Sequence, residues 1–277
     1  MYDGIVLSGG GMKGFLQLGF IDSLLENKKI DKLKYFAGCS IGSILCVLLI
    51  VGYTPQELIT YFCTNDVCSL FKGFNILLIS NHYGLIDSKI ILEYIETMVM
   101  LKLNYIPTFK DIYIKQGKIF ICPSYKLNYS NEENPHTYFS YKTHPNMHIT
   151  KAACCSSNIP IIFTKIEHEG GYYVDGGLFD NFPVNRLLKE IQEDPWTNEY
   201  YSIIAIKFEH DLKQLEINSF SDYVKHLFTA ATKNKNLIQN DNVTIINIKT
   251  ALSAIDFDID TKRKLDLFIE GKKYYKK

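Results

Sequence analysis

Ser40 lies in the segment Gly38-Cys39-Ser40-Ile41-Gly42, a GxSxG pattern that places a serine between two glycines. Small flanking residues permit a sharp strand-to-helix turn that exposes the hydroxyl, and the N-terminus of the following helix favours negative charge that develops there. The same string is consistent with an ordinary helix cap, because serine at an N-cap stabilises a helix by about 1 kcal/mol. The pattern therefore predicts either a nucleophile for acyl transfer or a capping residue.

A second pattern is the glycine-rich segment Gly9-Gly10-Gly11-Met12-Lys13-Gly14. Its backbone N–H groups are expected to converge on an anion, which is either a phosphate or the oxyanion of an acyl intermediate. As GxGxxG it also meets the dinucleotide-binding pattern, which requires an acidic residue at the end of the next strand to bind the ribose. That strand ends in Gly38-Cys39-Ser40 instead. The sequence therefore favours an oxyanion hole over a nucleotide site.

A third pattern is Asp175-Gly176-Gly177, which follows the strand-like run Tyr172-Tyr173-Val174. Two glycines permit positive φ and close backbone approach, so the segment is either a plain turn or a means of presenting one carboxylate. A serine at the end of one strand and an aspartate at the end of another can meet at the same edge of an α/β sheet. The joint occurrence of the patterns favours a shared site.

The elements that must position these residues alternate between strand and helix. Apolar residues 5–7, 35–37 and 203–206 predict buried strands, and helical spacing of apolar residues over 15–25 and 41–49 predicts two helices. Strands interleaved with helices predict a three-layer α/β/α sandwich with a mainly parallel central sheet. Residues 125–147 are expected to form a loop or irregular hairpin. A terminal helix is expected over 261–275, with Leu265, Phe268 and Ile269 on one face.

The composition limits the function classes. With 277 residues we expect one domain over 1–277, and 30 basic against 30 acidic side chains provide no broad field to attract nucleic acid. Seven cysteines without paired spacing favour a reducing compartment. The chain shows no signal-peptide pattern, and its longest apolar run, 44–51, is far shorter than the ~20 residues that span a bilayer. We therefore expect an intracellular, cytoplasmic protein whose membrane contact is peripheral and transient, without a metal site.

Together, the three patterns resemble the motifs of the patatin-like phospholipase family: a GGGx[KR]G loop, a GxSxG turn and a DG[GA] motif, in that order. The small-residue run 152–160, which ends in Pro160, and the continuation Gly177-Leu178-x-x-Asn181-x-Pro183 resemble further family features. The resemblance spans nearly the whole chain and is strongest over 3–53 and 150–185.

The resemblance implies a patatin-like variant of the α/β-hydrolase architecture and a lipid acyl hydrolase that acts on phospholipids, lysophospholipids or other acyl lipids. It implies Ser40 as nucleophile, Asp175 as general base acting directly on it, and an oxyanion hole formed by Gly9, Gly10 and Gly11. No cofactor is implied, and activity is expected to be calcium-independent. The supporting motif residues are Met12, Lys13, Gly14, Gly38, Cys39, Ile41, Gly42, Gly176 and Gly177.

Several alternatives stay open at this point. Ser40 and Asp175 followed by His210 or His226 would match the chain order of an ordinary α/β-hydrolase triad. A lipid-binding or membrane-adaptor protein with an idle site is the non-enzymatic alternative. Lys13 either attracts a phospholipid head group or anchors its loop. The apolar stretch 71–79 is either buried core or part of a membrane-facing cover of the site.

Overall fold

The computed structural model describes residues 1–65, 75–195, 200–210, 217–218, 220–231, 240–254 and 256–276. Within these residues an eight-stranded sheet has the order β10-β9-β1-β2-β4-β8-β7, with β5 added to β4, and β3 and β6 form a separate two-stranded sheet. The strands are β1 (Gly4–Leu7), β2 (Tyr35–Gly38), β3 (Gly84–Ile86), β4 (Ile119–Lys126), β5 (His136–Phe139), β6 (Ile161–Phe163), β7 (Ile166–His168), β8 (Gly171–Asp175), β9 (Ile203–His210) and β10 (Val243–Thr250).

Helices cover both faces of the large sheet. They are α1 (Gly14–Glu26), α2 (Ile41–Ile50), α3 (Pro55–Thr64), α4 (Leu77–His82), α5 (Ser88–Leu103), α6 (Phe109–Gln116), α7 (Ile149–Ser156), α8 (Gly177–Asp180), α9 (Val184–Gln192), α10 (Phe220–Ala231) and α11 (Thr261–Lys273). Because successive side chains in a strand point to opposite faces, Ile5 and Leu7 pack with the core formed by α1, α2, α5, α7 and α11, whereas Val6 packs with α9. The prediction of a three-layer α/β/α sandwich is confirmed.

The sheet changes direction at β4. Strands β10, β9, β1, β2 and β4 are parallel, whereas β5 and β8 pair antiparallel with β4, and β7 pairs antiparallel with β8. The four parallel pairings confirm a mainly parallel sheet, and β5 accounts for the expected hairpin after residue 125. The expectation of one domain over 1–277 stays a prediction.

The predicted apolar face of the terminal helix is wrong in part. Leu265 and Ile269 are 42% and 53% exposed, whereas the buried residues of α11 are Lys264, Leu267, Phe268 and Gly271. The reason is a close crossing of α11 and α1: a Cβ at Gly19 would overlap the carbonyl of Phe268, and one at Gly271 would overlap that of Leu16. The backbone contact at two glycines, rather than the large apolar side chains, sets the rotation of α11.

Of the two alternatives for the apolar stretch 71–79, buried core is wrong for the part that the structure describes. Ile76 and Leu77 are 76% and 75% exposed, and Phe71 and Phe74 lie outside the described residues. In the described part of the chain no individual helix is long and apolar enough to cross a bilayer, and α2 and α3 meet that test only as a pair bent by 118°.

Candidate active site

Ser40 lies between the end of β2 and the start of α2, as its motif predicts. Its φ of 53° and ψ of −127° are unusual for a residue with a side chain, a conformation that costs on the order of 1–3 kcal/mol and is found in tight functional turns. The flanking glycines are required by close contact, because a Cβ at Gly38 would overlap the backbone of Gly42, and one at Gly42 would overlap the Leu7 carbonyl. Ser40 makes no side-chain cap hydrogen bond to α2, so the capping interpretation has no support.

Asp175 ends β8 and is fully buried. Its Oδ1 accepts the Gly177 N–H at 2.8 Å and faces the Cys39 thiol at 3.7 Å. Burial raises the pKa of Asp175 to about 6, against the opposing effects of the Ser40 side chain, the Gly177 N–H and the Cys39 thiol. Oδ2 accepts no hydrogen bond from the described residues, and catalytic hydrogen bonds often form fully only when substrate binds.

Asp175 reaches the edge of the sheet where Ser40 lies, although β8 is antiparallel to its neighbour. β2 pairs with the first part of β4, where Ala37 faces Ile121, whereas β8 pairs only with the far part, where Asp175 faces Ser124. The last residue of β8 therefore lies just beyond the end of β2. The meeting of the two motifs at one sheet edge was predictable, but its antiparallel geometry was not.

The glycine-rich loop passes directly beside Ser40. A Cβ at Gly9 would lie 3.1 Å from the Ser40 Cβ. The Gly9 N–H donates to the Asn181 carbonyl at 3.2 Å, whereas no backbone acceptor among the described residues takes the N–H of Gly10 or Gly11. Gly11, at a φ of 53°, begins the short 3-10 helix Gly11–Lys13 that leads into α1. Within the described residues, Gly10 and Gly11 are thus the members of the expected oxyanion hole whose N–H groups have no backbone acceptor.

Lys13 is buried, with 1% of its surface exposed. Burial lowers its pKa to about 8, an effect that Asp256 opposes. Its ammonium lies 5.5 Å from the centre of the Phe208 ring, against which Gly10 also packs closely. These contacts favour the anchoring role of Lys13 over attraction of a lipid head group.

A pocket of about 840 Å³, including its open mouth, begins at Ser40 and Gly11. Its walls come mainly from α1, α2 and α5, with Phe163 and Phe257 from later segments, and most of its lining is apolar. The arrangement can accommodate an extended apolar group next to the serine hydroxyl.

The described histidine side chains give no support to a triad. Neither Ser40 nor Asp175 accepts a hydrogen bond from any of them, and none contributes to the pKa of Asp175. His226 lies on α10, and the side chain of His210 lies outside the described residues. The ring centres of His144 and His168 lie 6.1 Å apart, and both rings contact Phe139. Burial lowers the pKa of both histidines.

Some residues around the site have no signal in the sequence. Phe208 and Ala254 support the glycine loop through packing and close backbone contact, and neither belongs to a motif. Asn181 does have a signal, because it lies in the continuation of the aspartate motif and its carbonyl holds Gly9. The pocket-lining residues Tyr94 and Ile95 lie on α5, in the middle of the chain, where no motif was found.

Comparison with known proteins identifies similar chains. The family model described as Patatin-like phospholipase matches residues 5–188. The Probable lipid hydrolase 463L of Invertebrate iridescent virus 6 is 32% identical over 98% of this chain and 86% of its own length. The Uncharacterized protein R571 of Acanthamoeba polyphaga mimivirus is 29% identical over 98% of this chain and 92% of its own length.

Solved structures that share the fold include those of VipD and ExoU. VipD from Legionella pneumophila superposes with a TM-score of 0.66 at 15% identity, over 99% of this chain and 66% of VipD. ExoU in its complex with SpcU from Pseudomonas aeruginosa gives a TM-score of 0.58 at 16% identity, over 98% of this chain and 50% of the other. This chain thus spans about two thirds of one neighbour and half of the other. Since the family model matches most of the chain and a 32%-identical relative aligns along nearly all of it, the chain belongs to the patatin-like phospholipase family.

Proposed function

We propose that this chain is a lipid acyl hydrolase that cleaves fatty-acyl ester bonds of phospholipids or lysophospholipids through a Ser40/Asp175 dyad. The observation that carries the proposal is the position of a strained serine at the mouth of an apolar pocket, directly after Cys39, whose thiol lies 3.7 Å from the fully buried Asp175 carboxylate. The names of the family and of the viral relative support the same class of substrate.

In the first half of the reaction, Ser40 Oγ attacks the ester carbonyl carbon while Asp175 accepts the hydroxyl proton. A carboxyl with a pKa of about 6 is mostly ionised at pH 7 and is a stronger base than an exposed aspartate. Collapse of the tetrahedral intermediate breaks the bond to the alcohol portion of the lipid, which leaves with the proton from Asp175. The acyl group stays on Ser40.

In the second half, Asp175 takes a proton from a water molecule as the water oxygen attacks the acyl-serine carbonyl. The fatty acid leaves as the bond to Ser40 Oγ breaks, and the proton returns to that oxygen. The same carboxylate therefore acts as base and acid in both halves, which restores the enzyme without a histidine.

The N–H groups of Gly10 and Gly11 are the proposed donors to the oxyanion in both halves. The Gly9 N–H is omitted from this role because it already donates to Asn181. One preorganised donor of this kind contributes about 2.7–4 kcal/mol to the transition state. The Lys13 contacts with Phe208 hold the loop in place.

The apolar pocket is proposed to bind the acyl chain. Each methylene group that leaves water contributes about 0.8 kcal/mol, so the pocket favours long chains over short ones. Its mouth at Ser40 and Gly11 would place the ester carbonyl between the nucleophile and the oxyanion donors.

Peripheral membrane contact is proposed for an exposed apolar surface formed by Ile76, Leu77, Ile79 and Tyr83, here called the α4 surface. The ammonium of Lys165 lies 5.0 Å from the centre of the Tyr83 ring and adds positive charge there. α4 leads into β3, which pairs with β6, and Phe163 at the end of β6 lines the pocket. The surface is thus linked to the pocket wall and suits an anionic lipid interface.

The test combines a fluorophosphonate probe with a panel of phospholipid and lysophospholipid vesicles. The wild type should label and release fatty acid, whereas Ser40→Ala should do neither and Asp175→Asn should lose at least a hundredfold in rate. His210→Ala and His226→Ala are the matched controls and should retain activity.

Other results would support one of the alternative functions. A folded His210→Ala or His226→Ala variant without activity would restore the triad. A wild type that binds vesicles but neither labels nor releases fatty acid would be a lipid-binding protein with an idle site.

A further inference from the structure

The small-residue run 152–160 forms the end of α7 and the turn after it, and it makes hydrogen bonds to both the Ser40 turn and the Asp175 turn. We propose that Ser156, the last residue of α7, is a positioning residue that fixes the separation between the Ser40 and Asp175 side chains. The inference rests on the proposed dyad and extends it to a residue that contacts neither the substrate nor a reacting atom.

Ser156 bridges the two turns with different atoms. Its hydroxyl oxygen accepts the backbone N–H of Ser40 at 3.3 Å, and its carbonyl oxygen accepts the backbone N–H of Gly176 at 3.3 Å. Ser156 is completely buried, so water cannot replace either acceptor. One residue therefore connects the nucleophile turn to the residue that follows the proposed base.

Neighbouring hydrogen bonds fix the end of α7 on both sides. The Asn158 carbonyl accepts the Asp175 N–H at 2.9 Å, and the Asn158 amide donates to the Tyr173 carbonyl at 3.0 Å. On the other side, the Ser43 hydroxyl lies 2.6 Å from the Ser40 carbonyl and 3.3 Å from that of Ala153. These hydrogen bonds fix the position of Ser156, so that its hydroxyl can fix the position of the Ser40 backbone.

The hydroxyl of Ser156 matters because Ser40 has an unusual backbone conformation. At a φ of 53° the Ser40 N–H precedes the first helical turn of α2 and cannot bond within that helix. Without the Ser156 oxygen this buried donor has no acceptor and the turn is free to relax. Movement of the nucleophile by about 1 Å can reduce the catalytic rate roughly a hundredfold.

The experiment compares Ser156→Ala with Ser23→Ala. Ser23 is also a buried serine, and its hydroxyl donates to the Lys272 carbonyl far from the site. Ser156→Ala should lower kcat on phospholipid vesicles and the maximal rate of fluorophosphonate labelling by the same factor, roughly ten- to a hundredfold. KM should stay within about twofold, because the acyl pocket is unchanged. Ser156→Cys, which keeps a weak acceptor, should recover part of kcat.

A merely structural role predicts a different result. If Ser156→Ala and Ser23→Ala lower the thermal midpoint equally and both retain wild-type kcat, the positioning role is rejected. The proposed function fails separately, if Ser40→Ala retains activity. Inactive Ser40→Ala and Asp175→Asn beside a fully active Ser156→Ala would overturn the positioning role alone.

Discussion

The thiol of Cys39 donates to Oδ1 of Asp175 over 3.7 Å, so the residue before the proposed nucleophile contacts the proposed base directly. Burial, together with the nearby Asp175 carboxyl, holds the pKa of this thiol well above its ordinary value, which keeps the thiol protonated as a donor. The Gly177 N–H donates to the same oxygen. Oδ1 is thereby held in place, and Oδ2 is left for the serine.

This contact predicts a pH effect of Cys39. With a pKa of about 6 for Asp175, wild-type kcat/KM should fall as the pH drops below about 6, because the base becomes protonated. Cys39→Ala removes a donor that stabilises the carboxylate, so the acidic limb should move to higher pH. Cys39→Ser keeps a donor and should leave the limb near its wild-type position. A limb in Cys39→Ala that moves to lower pH would contradict the contact.

Asp175→Asn should stabilise the protein while it removes activity. The folded-state pKa is raised, so the native state binds the proton more tightly than the unfolded state, and stability falls as the pH rises from about 4 to about 6. At pH 7 the buried charge costs about 3 kcal/mol, from 1.36 kcal/mol per pKa unit. Urea unfolding at pH 7 should show a higher midpoint for the variant than for the wild type. A lower midpoint would mean that the carboxylate is favourably paired.

Chain-length preference should depend on the pocket wall formed by α5. Ile91 lines the pocket, and Ile91→Phe places a larger side chain there, which narrows the pocket. The variant should lose roughly tenfold or more in kcat/KM on long-chain esters and little on butyryl esters, since short chains do not reach the wall. Ile90→Phe, one residue away and outside the lining, is the control. Equal losses on both substrates would place the acyl chain elsewhere.

The α4 surface should contribute to vesicle binding. The double variant Ile76→Asp and Leu77→Asp should reduce binding to anionic vesicles at least tenfold, because two apolar side chains would no longer enter the interface and negative charge would be added. Hydrolysis of a water-soluble ester should be unchanged. Ile114→Asp changes a residue on α6 that is 61% exposed and should leave vesicle binding intact. Sedimentation with vesicles measures both effects.

The crossing of α1 and α11 predicts a reversed effect of alanine. Alanine in place of glycine normally stabilises a helix by about 1 kcal/mol. Gly19→Ala instead should destabilise the protein by roughly 2 kcal/mol or more, because its Cβ would overlap the Phe268 carbonyl. Thermal or urea unfolding gives the sign. A stabilised variant would show that the helices can separate at little cost.

The motifs and the parallel half of the sheet could be predicted because their signals are local. Buried strands such as residues 5–7 are short apolar runs, and the glycines around Ser40 mark a turn in which no Cβ fits. The family resemblance located Asp175 for the same reason, since its turn is encoded by two adjacent glycines. These local features also identified the correct edge of the sheet.

Features that depend on distant contacts could not be predicted. The exposure of Leu265 follows from a backbone crossing of two helices far apart in sequence, which apolar periodicity does not encode. The Gly9 N–H donates to the carbonyl of Asn181, which is more than 170 residues away in the sequence. The pocket wall from α5 lies in the middle of the chain, where no motif marks the residues that face the site.

The register in which β8 pairs with β4 determines the direction in which the side chain of the proposed base points. Asp175 faces Ser124, whose hydroxyl donates to the Val174 carbonyl at 2.8 Å. Because neighbouring side chains in a strand point in opposite directions, a slip of one residue would turn the carboxylate to the other face of the sheet. A single-residue insertion within β8 would therefore inactivate the proposed site and leave every motif intact, whereas a change in the length of the connections on either side would not alter this register.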